Sequence, residues 1–250
     1  MRQLHVHLLP DRVAAAELRG STAVVIDVLR ATTTMAYALA AGARDIVPCL
    51  TIDDALVMAA NFPKGQVLLA GERGGLPIPG FDLGNSPAEF TPSLVAGKSV
   101  VMTTTNGTKA LLHCRKAARI LAGSFANLSA ICSAVESGSR VDLVCAGTDG
   151  QSTDEDLLVA GAIATRLTSE GKWQLSPDVE SAIQHWQQVV GAGGEGEQAE
   201  RLLAAMRASL GGRNLVEIGM DADIVLAAAT DRVSVVPRFD AATGRITAER

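Results

Sequence analysis

Thr22-Ala23-Val24-Val25-Ile26-Asp27-Val28-Leu29-Arg30-Ala31-Thr32-Thr33-Thr34 runs from a β-branched apolar segment, past an acid and an arginine, into a threonine-rich helix start. Continuous apolar character of this kind suits a strand buried on both faces in the middle of a sheet. Two later stretches repeat the design. Val100-Val101-Met102 leads into Thr103-Thr104-Thr105-Asn106-Gly107-Thr108, and Val141-Asp142-Leu143-Val144 leads into Gly147-Thr148-Asp149-Gly150 and then Asp154-Glu155-Asp156. In an open parallel sheet, loops leaving the carboxyl ends of strands gather on one edge, where ligands bind. Hydroxyls, helix-start N–H groups, an arginine and several carboxylates would meet there, a chemistry suited to a phosphate and a hard metal ion.

Working outward, the alternation of Met1 to His7 predicts an opening strand, and Pro10 to Leu18 a helix. Thr32 or Thr33 can cap a helix over Met35 to Ala41, which Gly42 ends. Strands are expected at Asp45 to Cys49, Gln66 to Ala70, Arg119 to Ala122, Val141 to Cys145 and Val233 to Val236, with a polar tail after Pro237. Helices are expected over Ile52 to Asn61, Ala126 to Val135, Asp154 to Leu167, Ser176 to Val190 and Glu197 to Ser209, and Ile218 to Ala229 is apolar with Asp221 and Asp223 at its start. Strands alternating with helices predict an α/β fold, a mostly parallel sheet covered on both faces. The first two strand–loop–helix segments align as a quasi-repeat, which fits an internal duplication or two solutions of one βαβ problem. The chain reads as one domain over residues 1–250, or as two closely packed halves.

Between Gly71 and Pro92, glycines and prolines preclude a long helix or central strand. Leu76, Ile78, Phe81 and Leu83 can anchor this loop, and a long anchored loop is usually functional.

Bulk properties narrow the function. A net charge of -5 argues against nucleic acid or an anionic membrane as partner, both of which favour a basic face. No apolar stretch reaches the ~18 to 20 residues of a membrane span, and no leader pattern opens the chain, so a cytoplasmic protein is expected. Cys49, Cys114, Cys132 and Cys145 are too far apart for CxxC chemistry and read as inert core thiols. His5 and His7 share one strand face without nearby acids and read as surface residues. Gly191 to Gly196 spells GxGxxG but follows a polar helix rather than a buried strand, which disfavours a dinucleotide role. A homodimer is expected only from general frequency.

Asp27 sits in a run otherwise built for burial, where an ionised carboxylate needs a cation or several donors. Metal ligand, base and nucleophile are open roles for it, and so is a structural cap of the Thr32 to Thr34 turn. Arg30 offers the planar fork that suits phosphate, sulfonate or carboxylate, or else lies solvated. Thr32, Thr33 and the loop Thr104, Thr105, Asn106, Gly107 and Thr108 read as an anion cradle. Glu72 could hold a metal while Arg73 holds an anion, and one or two of Asp149, Asp154, Glu155 and Asp156 could join them. Leucine and alanine stand where a haloacid-dehalogenase-type phosphatase places its second aspartate and threonine, which disfavours that mechanism.

Taken together, the loops resemble the 2-phosphosulfolactate phosphatase (ComB-like) family. The stretches that carry the resemblance are Ile26 to Thr34, Gly71 to Gly75, Asp82 to Pro87, Thr103 to Thr108, Ala146 to Gly150, and Glu155-Asp156 followed by Ala160-Gly161. Ser209 to Leu215 and Asp221 to Asp223 extend it more weakly. The resemblance implies a three-layer α/β/α architecture and magnesium-dependent hydrolysis of 2-phospho-3-sulfolactate to 3-sulfolactate and phosphate, a step towards coenzyme M. On that reading Asp27, Glu72 and Asp156 would hold magnesium, and Arg30, Arg73 and the threonine loops would take the small phosphorylated, sulfonated substrate. Asp149 or Glu155 would activate water or protonate the leaving oxygen. Alternatives are a phosphatase for another phosphorylated 2-hydroxy acid, or a non-catalytic binder of such anions.

Overall fold

The computed structural model describes residues 1–169 and 172–249. Eleven strands are described: β1 Arg2–His7, β2 Thr22–Ile26, β3 Asp45–Pro48, β4 Val67–Arg73, β5 Leu76–Pro77, β6 Ser99–Thr103, β7 Arg119–Gly123, β8 Arg140–Cys145, β9 Trp173–Leu175, β10 Val236–Asp240 and β11 Arg245–Glu249. They form one open sheet in the order β5-β4-β6-β3-β11-β10-β7-β2-β8-β1-β9. On one side β4, β6 and β3 run parallel, and on the other β7, β2, β8, β1 and β9 do. The hairpin β10–β11 lies between these blocks, antiparallel to β7 and to β3.

Ten helices are described: α1 Ala31–Ala40, α2 Ile52–Ala59, α3 Pro92–Val95, α4 Gly107–His113, α5 Leu128–Val135, α6 Asp154–Ser169, α7 Pro177–Val189, α8 Glu195–Ala208, α9 Leu210–Glu217 and α10 Asp221–Ala228. Strand β2 shows why they form layers, since successive side chains point to opposite faces. Val24 and Ile26 join the apolar core under α5 to α10, whereas Ala23 and Val25 join the core under α1 and α4. Val47, Ala55 and Val101 form a smaller core beneath α2. The sheet is thus sandwiched, as the alternating pattern predicts.

Several elements depart from the sequence reading. No helix covers Pro10 to Leu18; a 3-10 turn at Pro10–Arg12 gives way to turns closed by i→i+3 bonds such as Glu17 N–H to Ala14 O, which seat Val13 and Leu18 in the core. Helix α1 begins at Ala31, so Thr32 to Thr34 form its first turn rather than precede it. The region before Ala229 holds two helices, divided at Gly219, whose φ of +76° suits glycine. The last strand is not Val233 to Val236, and the segment after Pro237 is no loose tail but the hairpin at the centre of the sheet. Strand β9, with three residues, is too short to carry an alternating pattern. In the Gly71 to Pro92 segment, Ile78, Phe81 and Leu83 do anchor, but Leu76 is half exposed.

His7 is also no free surface residue. Its Nε2 lies 2.8 Å from Oδ1 of the fully buried Asp142, whose Oδ2 accepts from Arg140 Nε at 2.9 Å. Burial pushes the Asp142 carboxyl up, but these partners outweigh it and hold the group below its ordinary value. Three of the four cysteines conform to expectation: Cys49, Cys114 and Cys145 are buried thiols, and burial pushes the first two up to about 11 and 12, whereas Cys132 is only half-buried.

Candidate functional site

Two crossovers build the site. From β2, α1 carries the chain across the hairpin to β3, and from β6, α4 carries it back across to β7. The start of α4 is thereby laid against the end of β2. Gly107 makes the approach possible, since a β-carbon there would lie 2.6 Å from Asp27 Oδ2 and 2.5 Å from Ala31 Cβ.

At this edge a cavity of about 370 Å3 opens. Of the residues singled out in the sequence, Asp27, Arg30, Glu72, Thr105, Asn106 and Asp149 line it. Asp27 is 8% exposed; its Oδ1 accepts from Ala31 N–H at 3.2 Å, while Oδ2 accepts nothing from the described residues. Burial pushes its carboxyl up to about 7, and the charges of Glu72 and Glu155 add to that against the Ala31 N–H and Arg30. Glu72 ties two loops together. Its Oε1 accepts from Thr105 N–H at 2.6 Å, and its Oε2 from Gly75 N–H at 2.9 Å and the Thr105 hydroxyl at 3.1 Å. Asp149 stands exposed at the tip of the turn after β8, with φ +50°.

Arg30 is buried and already engaged. Its guanidinium donates to Asp223 Oδ2 at 2.5 Å and to the Gly75 carbonyl at 2.5 Å, and Ser86 holds the other Asp223 oxygen at 2.5 Å. The pairing with Asp223, 193 positions away, was not readable from sequence.

The other singled-out residues stand outside the cavity lining. Thr32 donates to Asp27 O at 2.9 Å and Thr33 to Val28 O at 2.8 Å, so both hydroxyls fasten the turn rather than face a ligand. Thr104 and Thr108 bond to each other's backbone N–H groups at 3.1 and 3.3 Å. Arg73 lies in a neighbouring cleft with Lys109, donating to Thr103 Oγ1 at 2.9 Å. Asp156 accepts Val28 N–H at 2.9 Å and Gly147 N–H at 3.0 Å, one on each oxygen, and so joins the loops after β2 and β8. Burial pushes its carboxyl well up, with the charges of Asp27 and Glu155 adding. Glu155, raised chiefly by burial, sits behind Leu29 and Gly211 at the start of α9. Its Oε2 has no hydrogen-bond partner among the described residues.

A wall from α9 completes the cavity, with Gly211, Asn214 and Glu217, and Asn85, in the loop before Pro87, lines it as well. These residues drew no role from the sequence, although Asn85 and Asn214 fall within stretches that carried the family resemblance. The lining holds four acids (Asp27, Glu72, Asp149, Glu217) against one arginine, itself paired with Asp223.

A model of the 2-phosphosulpholactate phosphatase family matches residues 7–242. The chain belongs to that family. A "Probable 2-phosphosulfolactate phosphatase" of Deinococcus radiodurans is 39% identical over 238 residues, 94% of this chain and 92% of that protein. Proteins of the same name from Thermotoga maritima and Caldanaerobacter subterraneus subsp. tengcongensis are 38% and 34% identical, over 86% and 89% of this chain and 88% and 89% of theirs. The matched span takes in all the family's loops around the cavity, and α9 and α10 with them.

For a metal, the lining offers only oxygen donors among its acids, which suits a hard cation. Among the described residues no three of His, Cys, Asp and Glu form a ready metal-holding group. Magnesium does not require one, since it is commonly held by one or two carboxylates with water and substrate phosphate completing the shell. Asp27, with its free Oδ2, and Glu72 fit that description. Asp156 fits it poorly: like Glu72 it has both oxygens engaged by N–H groups, but unlike Glu72 it stands outside the cavity lining. No helix among the described residues is long and apolar enough to cross a membrane.

Proposed function

We propose that the chain is a phosphoric monoester hydrolase that converts 2-phospho-3-sulfolactate into 3-sulfolactate and phosphate in this cavity, with magnesium. The names of its relatives support the reaction. The sign of the cavity supports the metal: a phosphate dianion would meet four acids and one arginine already paired with Asp223. At close range and partial burial, like charges of that number repel by several kcal/mol unless a cation stands between them.

Asp27 and Glu72 would hold the ion, which would supply positive charge to polarise the phosphoryl oxygens. The N–H groups of Arg30 not taken by Asp223 and Gly75 would face the phosphate. Without the ion the Asp27 carboxyl lies at about 7, so a cation bound there would displace its proton, and metal affinity should rise with pH. Asp149, at the exposed rim, is better placed than the enclosed Glu155 to return a proton to the leaving oxygen. Thr105 acts through Glu72, holding that carboxylate with two donors.

The test is phosphate release from 2-phosphosulfolactate with magnesium and with excess EDTA, beside phospholactate and phosphoglycolate. Magnesium-dependent release that favours the sulfonated ester is the expected result. Equal release in EDTA would remove the metal from the scheme, and release from the other esters alone would move the substrate. A folded protein that binds 3-sulfolactate but releases no phosphate would be a binder.

A further inference from the structure

A substrate of this class carries anionic groups besides its phosphate, yet the arginine that lines the cavity, Arg30, is bound to Asp223 and the Gly75 carbonyl. A second cleft, of about 530 Å3, opens beside the cavity, and Thr105 lines both. It has the opposite sign. Arg73 and Lys109 line it, against one acid among the described residues, Asp53. We propose that Arg73 and Lys109 hold the sulfonate of the substrate in this cleft, while its phosphate lies across Thr105 in the acidic cavity, an assignment that rests on the phosphatase reading above.

Strand β4 separates the two charges. Successive side chains of a strand point to opposite faces, so Glu72 lines the cavity and Arg73 the cleft. The ridge between them is fixed, because Glu72 accepts from the Thr105 N–H at 2.6 Å. Both cations are left without a counter-ion. Arg73 donates only to uncharged oxygens: Nη1 to the Glu72 carbonyl at 2.7 Å, and Nη2 to the Thr103 hydroxyl at 2.9 Å and the Leu50 carbonyl at 3.4 Å. Lys109, exposed on α4, has no hydrogen bond or ion pair with a described residue, and Asp53 pairs with neither cation. Like charges lining one cleft repel, and an anion between them offsets that repulsion.

The bonds that hold Arg73 also select the anion. Each two-pronged edge of a guanidinium includes Nη2, and here Nη2 is spent on Thr103 and Leu50. A planar carboxylate, which favours the two-pronged match, loses it. The Nε hydrogen and the second Nη1 hydrogen remain as single donors. With the Lys109 ammonium they suit the three separate oxygens of a sulfonate.

The test uses the full chain and three variants, Lys109→Ala, Lys109→Glu and Arg73→Gln. Lys109 is exposed and unbonded, so its variants spare the fold even if Arg73→Gln, which gives up the bonds to Thr103 and Leu50, does not. The dissociation constant of 3-sulfolactate is measured by calorimetry, and kcat/KM for 2-phosphosulfolactate is divided by that for phospholactate. Lys109→Ala should weaken 3-sulfolactate binding about fivefold and lower the ratio about fivefold, with a larger effect for Lys109→Glu, which puts a repelling charge in the cleft. Unchanged binding and ratio in both Lys109 variants would overturn the assignment. An equal loss on the two esters would overturn it too, placing their shared carboxylate in the cleft instead. Should the wild type release no phosphate from either ester, the reaction falls, while the calorimetric comparison still decides whether the cleft holds the sulfonate.

Discussion

Asp27→Asn should stabilise the metal-free protein while abolishing its activity. The carboxyl lies at about 7 in the fold against an ordinary 3.8. At about 1.4 kcal/mol for each tenfold change in proton affinity, that difference amounts to roughly 4 kcal/mol of penalty on the ionised, folded form. The sign follows from proton uptake. Between pH ~4 and ~7 the folded state binds more protons at this site than the unfolded chain, so its contribution to stability falls as pH rises and levels off above ~7. Asparagine keeps an Oδ1 for the Ala31 N–H and cannot ionise. Urea unfolding in EDTA from pH 5 to 8 should therefore show the variant ahead by roughly 4 kcal/mol at pH 8, with the gap shrinking below about 2 kcal/mol at pH 5. Glu155 and Asp156, also pushed upward by burial, stay in the variant and leave it a residual slope. Phosphate release with magnesium should be lost. A gap that does not change with pH, or a variant less stable than wild type at pH 8, would refute the reasoning.

Three other outcomes follow from the same geometry. Asp223→Ala strands the buried Arg30 guanidinium and should destabilise the protein by about 3 to 5 kcal/mol in urea unfolding, whereas Arg30→Met with Asp223→Leu should recover most of that. Gly107→Ala presses a methyl group onto Asp27 and Ala31; a loss of about 1 to 3 kcal/mol in stability is expected, with a fall in phosphate release beyond what unfolding explains. Asp142→Asn should lower stability at pH 7. Because the native carboxyl sits below its ordinary value, its contribution is present above pH ~4 and is lost as pH falls through the folded pKa, so acid unfolding curves of variant and wild type should converge at low pH.

The parallel blocks were legible because their strands announce themselves: Thr22 to Ile26, Ser99 to Thr103 and Arg140 to Cys145 are β-branched or apolar and bounded by turn residues. The hairpin was not, since Val236 to Asp240 includes a proline and Arg245 to Glu249 has only one large apolar residue. What makes those segments strands is the gap between β3 and β7, a tertiary fact. At the site, the residue types led to one edge of the sheet, where Asp27, Arg30, Glu72, Thr105, Asn106 and Asp149 line a cavity while the other singled-out residues do not. The direction of each side chain could not be read. Thr32 and Thr33 turn inward to the backbone, and Asp156 spends both oxygens on N–H groups of two loops. His7 and Arg30 gained acid partners 135 and 193 positions distant, for which no local pattern exists.

The central hairpin also sets an order on assembly. Arg245 meets Asp45 across 200 positions, and Ile246 pairs with Ile46. Until residues beyond 236 have left the ribosome, β3 and β7 each present an unpaired edge, and unpaired edges recruit strands from other chains. The two parallel blocks can each collapse early, but nothing in either can zip them into one sheet. Lesions that slow or weaken the hairpin should therefore appear first as aggregation during synthesis, with the finished enzyme scarcer rather than slower.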